Sequence, residues 1–253
     1  MPSGRSSATL PEMIGLLYPT RDCAEDDFTA LAGCLDARPG VEFAYVPWAR
    51  RAVEREDVQT AVRELSEPDR LVRTAAKFTT SPRVVSWACT SCSFLDGLAV
   101  AKTQTDALTD ALGVPASSTS LAFLAAAHRL GLQRIALASV YAPDLTDAFS
   151  AFLAEEDVAT VHAVSADAGS DRDLASWDSD RIRALIDSAA SSDAQAVLLP
   201  ETALHTAPLL AELEQRAGKP VLTATQVTLW HCLTLLGRPA AGPGLGTLLA
   251  HPH

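Results

Sequence analysis

Cys89 stands at the junction of an apolar run, Arg83-Val84-Val85-Ser86-Trp87-Ala88, and a polar turn, Thr90-Ser91-Cys92-Ser93. A buried strand ending in a thiol and two hydroxyls reads as the carboxyl edge of an α/β sheet, where open α/β folds place their ligands. A thiol there can serve as nucleophile or proton carrier. Thr90 and Ser91 can donate to a substrate oxygen. A lone cysteine is more commonly a small core residue, but a second polar turn in the other half, Pro200-Glu201-Thr202-Ala203, favours function. A carboxyl such as Glu201 in a dry cleft has a raised pKa and can carry a proton near neutrality. The helix expected after Cys89 predicts a stabilised thiolate, and hence the fastest-alkylated cysteine of the chain.

Other candidates weigh less. Cys89-x-x-Cys92 has the spacing of a redox pair, but no Pro or Gly opens a helix between the thiols and no second pair completes a zinc site. Core packing is the expected role of Cys92 and of Trp230-His231-Cys232. Cys23 lies beside Asp22 and is a weak candidate. His205 reads as a surface residue near a helix start, His128 as one on a solvated helix face. Asp167 follows a strand, and the acidic run 170–180 reads as a solvated loop.

Short β-rich runs alternate with longer amphipathic ones. Strands are predicted at Met13–Tyr18, Val41–Val46, Arg83–Ala88, Arg134–Val140, Thr160–Val164, Gln195–Leu199 and Pro220–Thr223. Helices are predicted at Ala24–Ala37, Val53–Phe78, Gly97–Ala111, Thr119–Arg129, Ala142–Glu155, Ser179–Ser191, Thr206–Arg216 and Thr225–Leu236. This rhythm predicts an α/β fold with parallel sheets covered by helices. Each half offers two polar turns at strand ends: Pro19-Thr20-Arg21-Asp22 and Cys89-Thr90-Ser91 in the first, Tyr141-Ala142-Pro143-Asp144 and Pro200-Glu201-Thr202 in the second. Two pseudo-symmetric α/β domains, one of residues 12–118 plus 225–253 and one of residues 119–224, would bring these turns around a single cleft. Residues 1–11 are polar, lack a signal-peptide core and read as a disordered leader.

Composition narrows the class. The 253 residues are 48% hydrophobic and 20% charged, the balance of a globular protein with enough chain for two modest cores. A formal net charge of −11 leaves no basic stripe for nucleic acid. No apolar stretch reaches the roughly 18 residues of a membrane span. Five scattered cysteines do not form a disulfide framework and suggest a reducing, cytoplasmic setting.

Cys89-Thr90-Ser91-x-Ser93-Phe94-x-x-Gly97 resembles the first active-site turn of the maleate isomerase and arylmalonate decarboxylase family, in the aspartate/glutamate racemase superfamily. Ile14-Gly15-Leu16-Leu17-Tyr18-Pro19, Ser118-Thr119-Ser120, Leu130-Gly131-Leu132, Gly218-Lys219-Pro220-Val221 and Gly242-Pro243-Gly244-Leu245-Gly246 follow the family's pattern in order, from about residue 13 to 249. The resemblance implies an active site between two α/β domains and chemistry with neither cofactor nor metal. It places Tyr141 at a substrate-contacting position and matches Cys89 to the first of two catalytic cysteines.

Two departures stand out. Glu201 occupies the place of the second cysteine, whereas decarboxylase members keep that cysteine and have a small residue at the first position. Asp22 replaces an asparagine expected of a maleate isomerase. Asp22 and Glu201, both negative beside a substrate carboxylate, would be costly in a low dielectric, which favours a substrate with a neutral or amine-bearing portion. The expected activity is therefore a cofactor-independent isomerase or racemase of a small carboxylic acid, with Cys89 and Glu201 catalytic and Pro19, Asp22, Thr90, Ser91, Tyr141, Thr202 and Ala203 binding substrate. A malonate-type decarboxylase protonating from Cys89 and a non-catalytic ligand-binding relative are the alternatives. The small acid is the expected partner, with homo-oligomerisation left open.

Overall fold

A computed structural model describes residues 12–48 and 58–250. The leader at 1–11, the first residues of the helix expected over Val53–Phe78 and the last three residues lie outside them. Two four-stranded parallel sheets form. The first holds β1 (Met13–Tyr18), β2 (Gly40–Tyr45), β3 (Val84–Trp87) and β4 (Ala116–Ser118) in the order β2-β1-β3-β4. The second holds β5 (Arg134–Ser139), β6 (Ala159–Ser165), β7 (Ala196–Leu199) and β8 (Val221–Thr223) in the order β6-β5-β7-β8. Adding four to each strand number of the first sheet gives the second. β1 and β3, like β5 and β7, are therefore adjacent and parallel, so their carboxyl ends emerge side by side.

Burial follows from the two-sided covering of parallel sheets. In β1, Ile14, Leu16 and Tyr18 enter one apolar cluster while Leu17 enters another, as strand alternation requires. The larger cluster runs from Ile14 and Phe28 through Phe123 and Phe149 to Ile135, Leu198 and Trp230, so both sheets share it. The smaller one, with Leu65, Leu71, Trp87 and Leu108, lies on the other face of the first sheet. Helices α1 (Glu25–Cys34), α6 (Thr119–Arg129) and α11 (Ala224–Leu235) carry much of the shared core; α11 packs against α6, α1 and β3. Its start is fixed by Thr223 and Gln226 in a capping box, that of α6 by Ser118, whose hydroxyl accepts from the Leu121 amide.

Several elements differ from expectation. The helix expected through Phe78 divides into α2 (Val58–Leu65) and α3 (Pro68–Ala75), because Pro68 cannot continue a helix but suits a first turn. α4 (Thr90–Phe94) is a separate five-residue helix before α5 (Gly97–Leu112), and Gly97 turns the chain between them at φ 83°. After α7 (Pro143–Ala154), the acidic run forms α8 (Asp171–Ala175) and opens α9 (Ser179–Ala189); Ser170 and Asp173 cap α8 reciprocally. The segment from Thr206 starts as a 3-10 turn at Ala207–Leu209 and continues as α10 (Leu210–Ala217). No helix of the described residues is long and apolar enough to cross a membrane.

Candidate active site

β3 ends at Trp87 and β7 at Leu199; two residues beyond each lie Cys89 and Glu201, both only 6% exposed. The sheet repeat thus sets the thiol and the carboxyl at equivalent places. Cys89 has extended backbone and forms the N-cap of α4. A pair of buried serines pins this turn: Ser93 Oγ lies 2.7 Å from the Cys89 carbonyl and 2.7 Å from Ser120 Oγ, which is 3.0 Å from the Thr90 carbonyl. Phe94 packs edge-on to Tyr141 at 5.8 Å and tilted on Phe149 at 4.9 Å, joining α4 to the second half. Ser91 Oγ is 3.8 Å from Cys89 Sγ.

The Glu201 turn is held from three sides. The Ala203 amide donates to Glu201 Oε1 at 2.7 Å. The Tyr18 hydroxyl, from the end of β1, donates to the Thr202 carbonyl at 2.9 Å. The Tyr141 hydroxyl, just past β5, donates to the Pro200 carbonyl. Residues 202–204 form a turn and no helix starts there, so Glu201 does not cap a helix dipole.

Burial governs the protonation states. It is the largest influence on Glu201, followed by the negative charge of Asp171; the Ala203 amide and the Tyr141 hydroxyl oppose it, and the carboxyl is pushed up to about 8. Cys89 is also driven well above the ordinary thiol range, by burial first, then by Cys92, then by Asp171. Burial works against the expected thiolate, and the one opposing amide, that of Cys92 in a five-residue helix, is a lesser influence than desolvation. Burial, Glu201 and Cys89 together raise Tyr141, against the nearby Thr90 hydroxyl. Thr90 itself is buried, and its Oγ1 makes no well-formed hydrogen bond. Burial thus favours the proton-bearing forms of Cys89 and Glu201, while the Tyr141 hydroxyl is committed to the Pro200 carbonyl.

The structure brings Cys89, Thr90, Ser91, Tyr141 and Glu201 together. Pro19 is buried beside Tyr18. The Thr202 carbonyl and the Ala203 amide, expected to face substrate, are engaged by Tyr18 and Glu201. Asp22 is exposed in a left-handed turn at φ 61°, with its amide donating to Glu25, and is not among the principal groups acting on Cys89, Tyr141 or Glu201. Asp167 is exposed, as is His128, while His205 pairs with Asp26 at 2.9 Å and His231 lies 2.7 Å from Ser117 Oγ. Burial lowers His231 to about 4.

The acid that enters the cluster is Asp171, from the run expected to be a solvated loop. It is half-buried, accepts from Thr20 Oγ1 at 2.6 Å and is raised by burial. The Ser170-x-x-Asp173 capping pattern signalled a helix start there, but no local signal showed which residue would face the other half.

The arylmalonate decarboxylase family model matches residues 44–249. The chain belongs to the arylmalonate decarboxylase family. A curated arylmalonate decarboxylase of Bordetella bronchiseptica is 34% identical over 168 residues, 65% of this chain and 70% of that one. A liganded double variant of arylmalonate decarboxylase, with one glycine changed to cysteine and one cysteine to serine, superposes with a TM-score of 0.78 at 27% identity, covering 94% of this chain and 99% of that one. A maleate cis-trans isomerase of Nocardia farcinica, solved with a covalently bound succinylcysteine intermediate, shares the fold at TM-score 0.81 and 21% identity, over 94% of this chain and 98% of the other. Both the decarboxylase and the isomerase relatives are enzymes with this two-sheet architecture.

Proposed function

We propose that the chain is a cofactor-independent decarboxylase of a malonate-type dicarboxylic acid, with Cys89 as the proton donor. What carries this reading is the place of Cys89 in a chain of this family: a buried thiol just past β3 at the N-cap of α4, where burial favours the protonated form. Loss of one carboxylate as CO2 leaves its bonding electron pair on the α-carbon, delocalised as an enediolate. Cys89 Sγ–H then gives its proton to that carbon, forming the monocarboxylate and a thiolate, which is reprotonated from solvent before the next turnover. Thr90, Ser91 and the protonated Glu201 carboxyl donate to the retained carboxylate and stabilise the enediolate. A covalent isomerisation, of the kind named for the Nocardia farcinica relative, needs a thiolate nucleophile. Burial works against that form in Cys89.

A second reading rests on the equivalent placement of Cys89 and Glu201. Two proton carriers on opposite sides of a carbon suit a racemase or isomerase. One experiment separates the two. A panel of substituted malonates, maleate and racemisable acids is incubated in D2O with the wild type, Cys89→Ala and Glu201→Gln. CO2 release with one deuteron at the α-carbon, abolished in Cys89→Ala and reduced less than about tenfold in Glu201→Gln, supports the decarboxylase. Isomerisation or racemisation without CO2, lost by roughly 100-fold or more in Glu201→Gln, the usual worth of a positioned acid or base, replaces it with the second reading.

A further inference from the structure

We propose that Asp171 sets the substrate class by receiving an ammonium group on the substituent of a carboxylic-acid substrate bound between Cys89 and Glu201. This rests on the site assignment above and extends it to the part of the substrate that does not react. Asp171 begins α8, beyond edge strand β6, yet its Oδ2 accepts from Thr20 Oγ1, two residues past β1, at 2.6 Å. It thus bridges the two sheets at their carboxyl ends. Its charge acts on Tyr18 at the end of β1, Cys23 beyond it, Cys89 after β3, Tyr141 after β5 and Glu201 after β7. The Thr20 contact thus sets a half-buried carboxyl beside the turn that follows β1, whose last residue, Tyr18, holds the Glu201 turn.

That position has a chemical consequence. Among the described residues, no cation is a principal influence on Cys89, Tyr141 or Glu201; Arg172 opposes Asp171 only at Cys23. An unpaired carboxylate beside a bound dicarboxylate is costly in a low dielectric, and an ammonium group on the same substrate removes that cost. The second observation is Thr90, only 2% exposed, whose Oγ1 lies near the Tyr141 hydroxyl but makes no well-formed hydrogen bond. A buried hydroxyl in that state calls for a ligand oxygen. The site therefore offers a donor for a carboxylate at Thr90 and an acceptor for a cation at Asp171, the complement of an amino acid rather than of a purely apolar acid.

The test reads binding, so it does not depend on which reaction the site performs. Calorimetry on the full chain compares two isosteric pairs: β-alanine with butanoate, and 4-(aminomethyl)phenylacetate with 4-ethylphenylacetate. The ammonium member of at least one pair binds the wild type about tenfold or more tighter, as expected for a desolvated charge pair. Asp171→Asn, which keeps an acceptor for Thr20, brings the pair within about threefold. Asp171→Ser is the second variant should the amide fail to fold. Equal or tighter binding of the apolar members to the wild type, no binding by either pair, or a preference that survives both substitutions overturns the proposal. If the preference holds and no malonate releases CO2, the decarboxylase reading fails and the role of Asp171 stands.

Discussion

The Tyr18 hydroxyl donates to the carbonyl of Thr202 at 2.9 Å, across 184 residues of chain. The last residue of β1 thereby grips the turn that carries Glu201, while Tyr141 grips the same turn one residue before it, at Pro200. Both tyrosines are raised by burial, so both hydroxyls keep their protons and remain donors. The carboxyl is thus held by side chains from both sheets.

Tyr18→Phe removes this grip and leaves a buried carbonyl unsatisfied. The expected cost is about 1–3 kcal/mol of unfolding free energy, measurable by urea denaturation. The same variant should lose turnover beyond its loss of stability, because the Glu201 turn loosens. Unchanged turnover at a temperature where the variant is fully folded would show that the grip does not position Glu201.

Glu201 links pH to stability with a definite sign. Its folded pKa is raised from 4.5 to about 8, so between those values the folded chain holds a proton that the unfolded chain has released. Its contribution to stability therefore falls as pH rises through this window. Glu201→Gln removes that decline: its thermal midpoint should exceed the wild type's at pH 8 and approach it below pH 5. The wild-type kcat/KM should fall above about pH 8, where an ionised Glu201 repels the substrate carboxylates, and the Gln variant should lack that fall.

Thiol mapping checks the state of Cys89. Cys34 is the exposed cysteine, whereas Cys23, Cys89, Cys92 and Cys232 are buried. Burial raises Cys23 and Cys232 to about 12 and drives Cys89 upward as well. Limiting iodoacetamide should therefore label Cys34 first and Cys89 slowly. Rapid labelling of Cys89 at neutral pH would restore the thiolate and with it a covalent isomerase mechanism.

The sheets and the two key turns were legible because central parallel strands, buried on both faces, read as short apolar runs. Trp87 and Leu199 end such runs, and the polar residues after them marked the strand ends, although those after Cys89 form the short helix α4 and only those after Glu201 a turn. β4, only Ala116-Ser117-Ser118, carries no β-forming signal and owes its place to pairing with β3. Pro68 did mark the break in the long helix, but the flanking apolar periodicity masked it. The upward shift of Cys89 and the tie of Asp171 to Thr20 were not legible. Both depend on burial by segments far along the chain: Asp171 meets Thr20 from 151 residues away. Asp22, the acid that the motif favoured, turns outward because Glu25 takes the amides of Asp22 and Cys23.

The proton donor itself is tested by the configuration of the product. Cys89 and Glu201 follow equivalent strands of the two sheets, and the proposed site has a thiol at either place approach the α-carbon from opposite faces. A prochiral 2-methyl-2-substituted malonate is decarboxylated by the wild type and by the double variant Cys89→Ser with Glu201→Cys, and the products are resolved by chiral chromatography. Protonation by Cys89 predicts one enantiomer in excess from the wild type and its mirror image in excess from the variant. The same enantiomer from both proteins would contradict it.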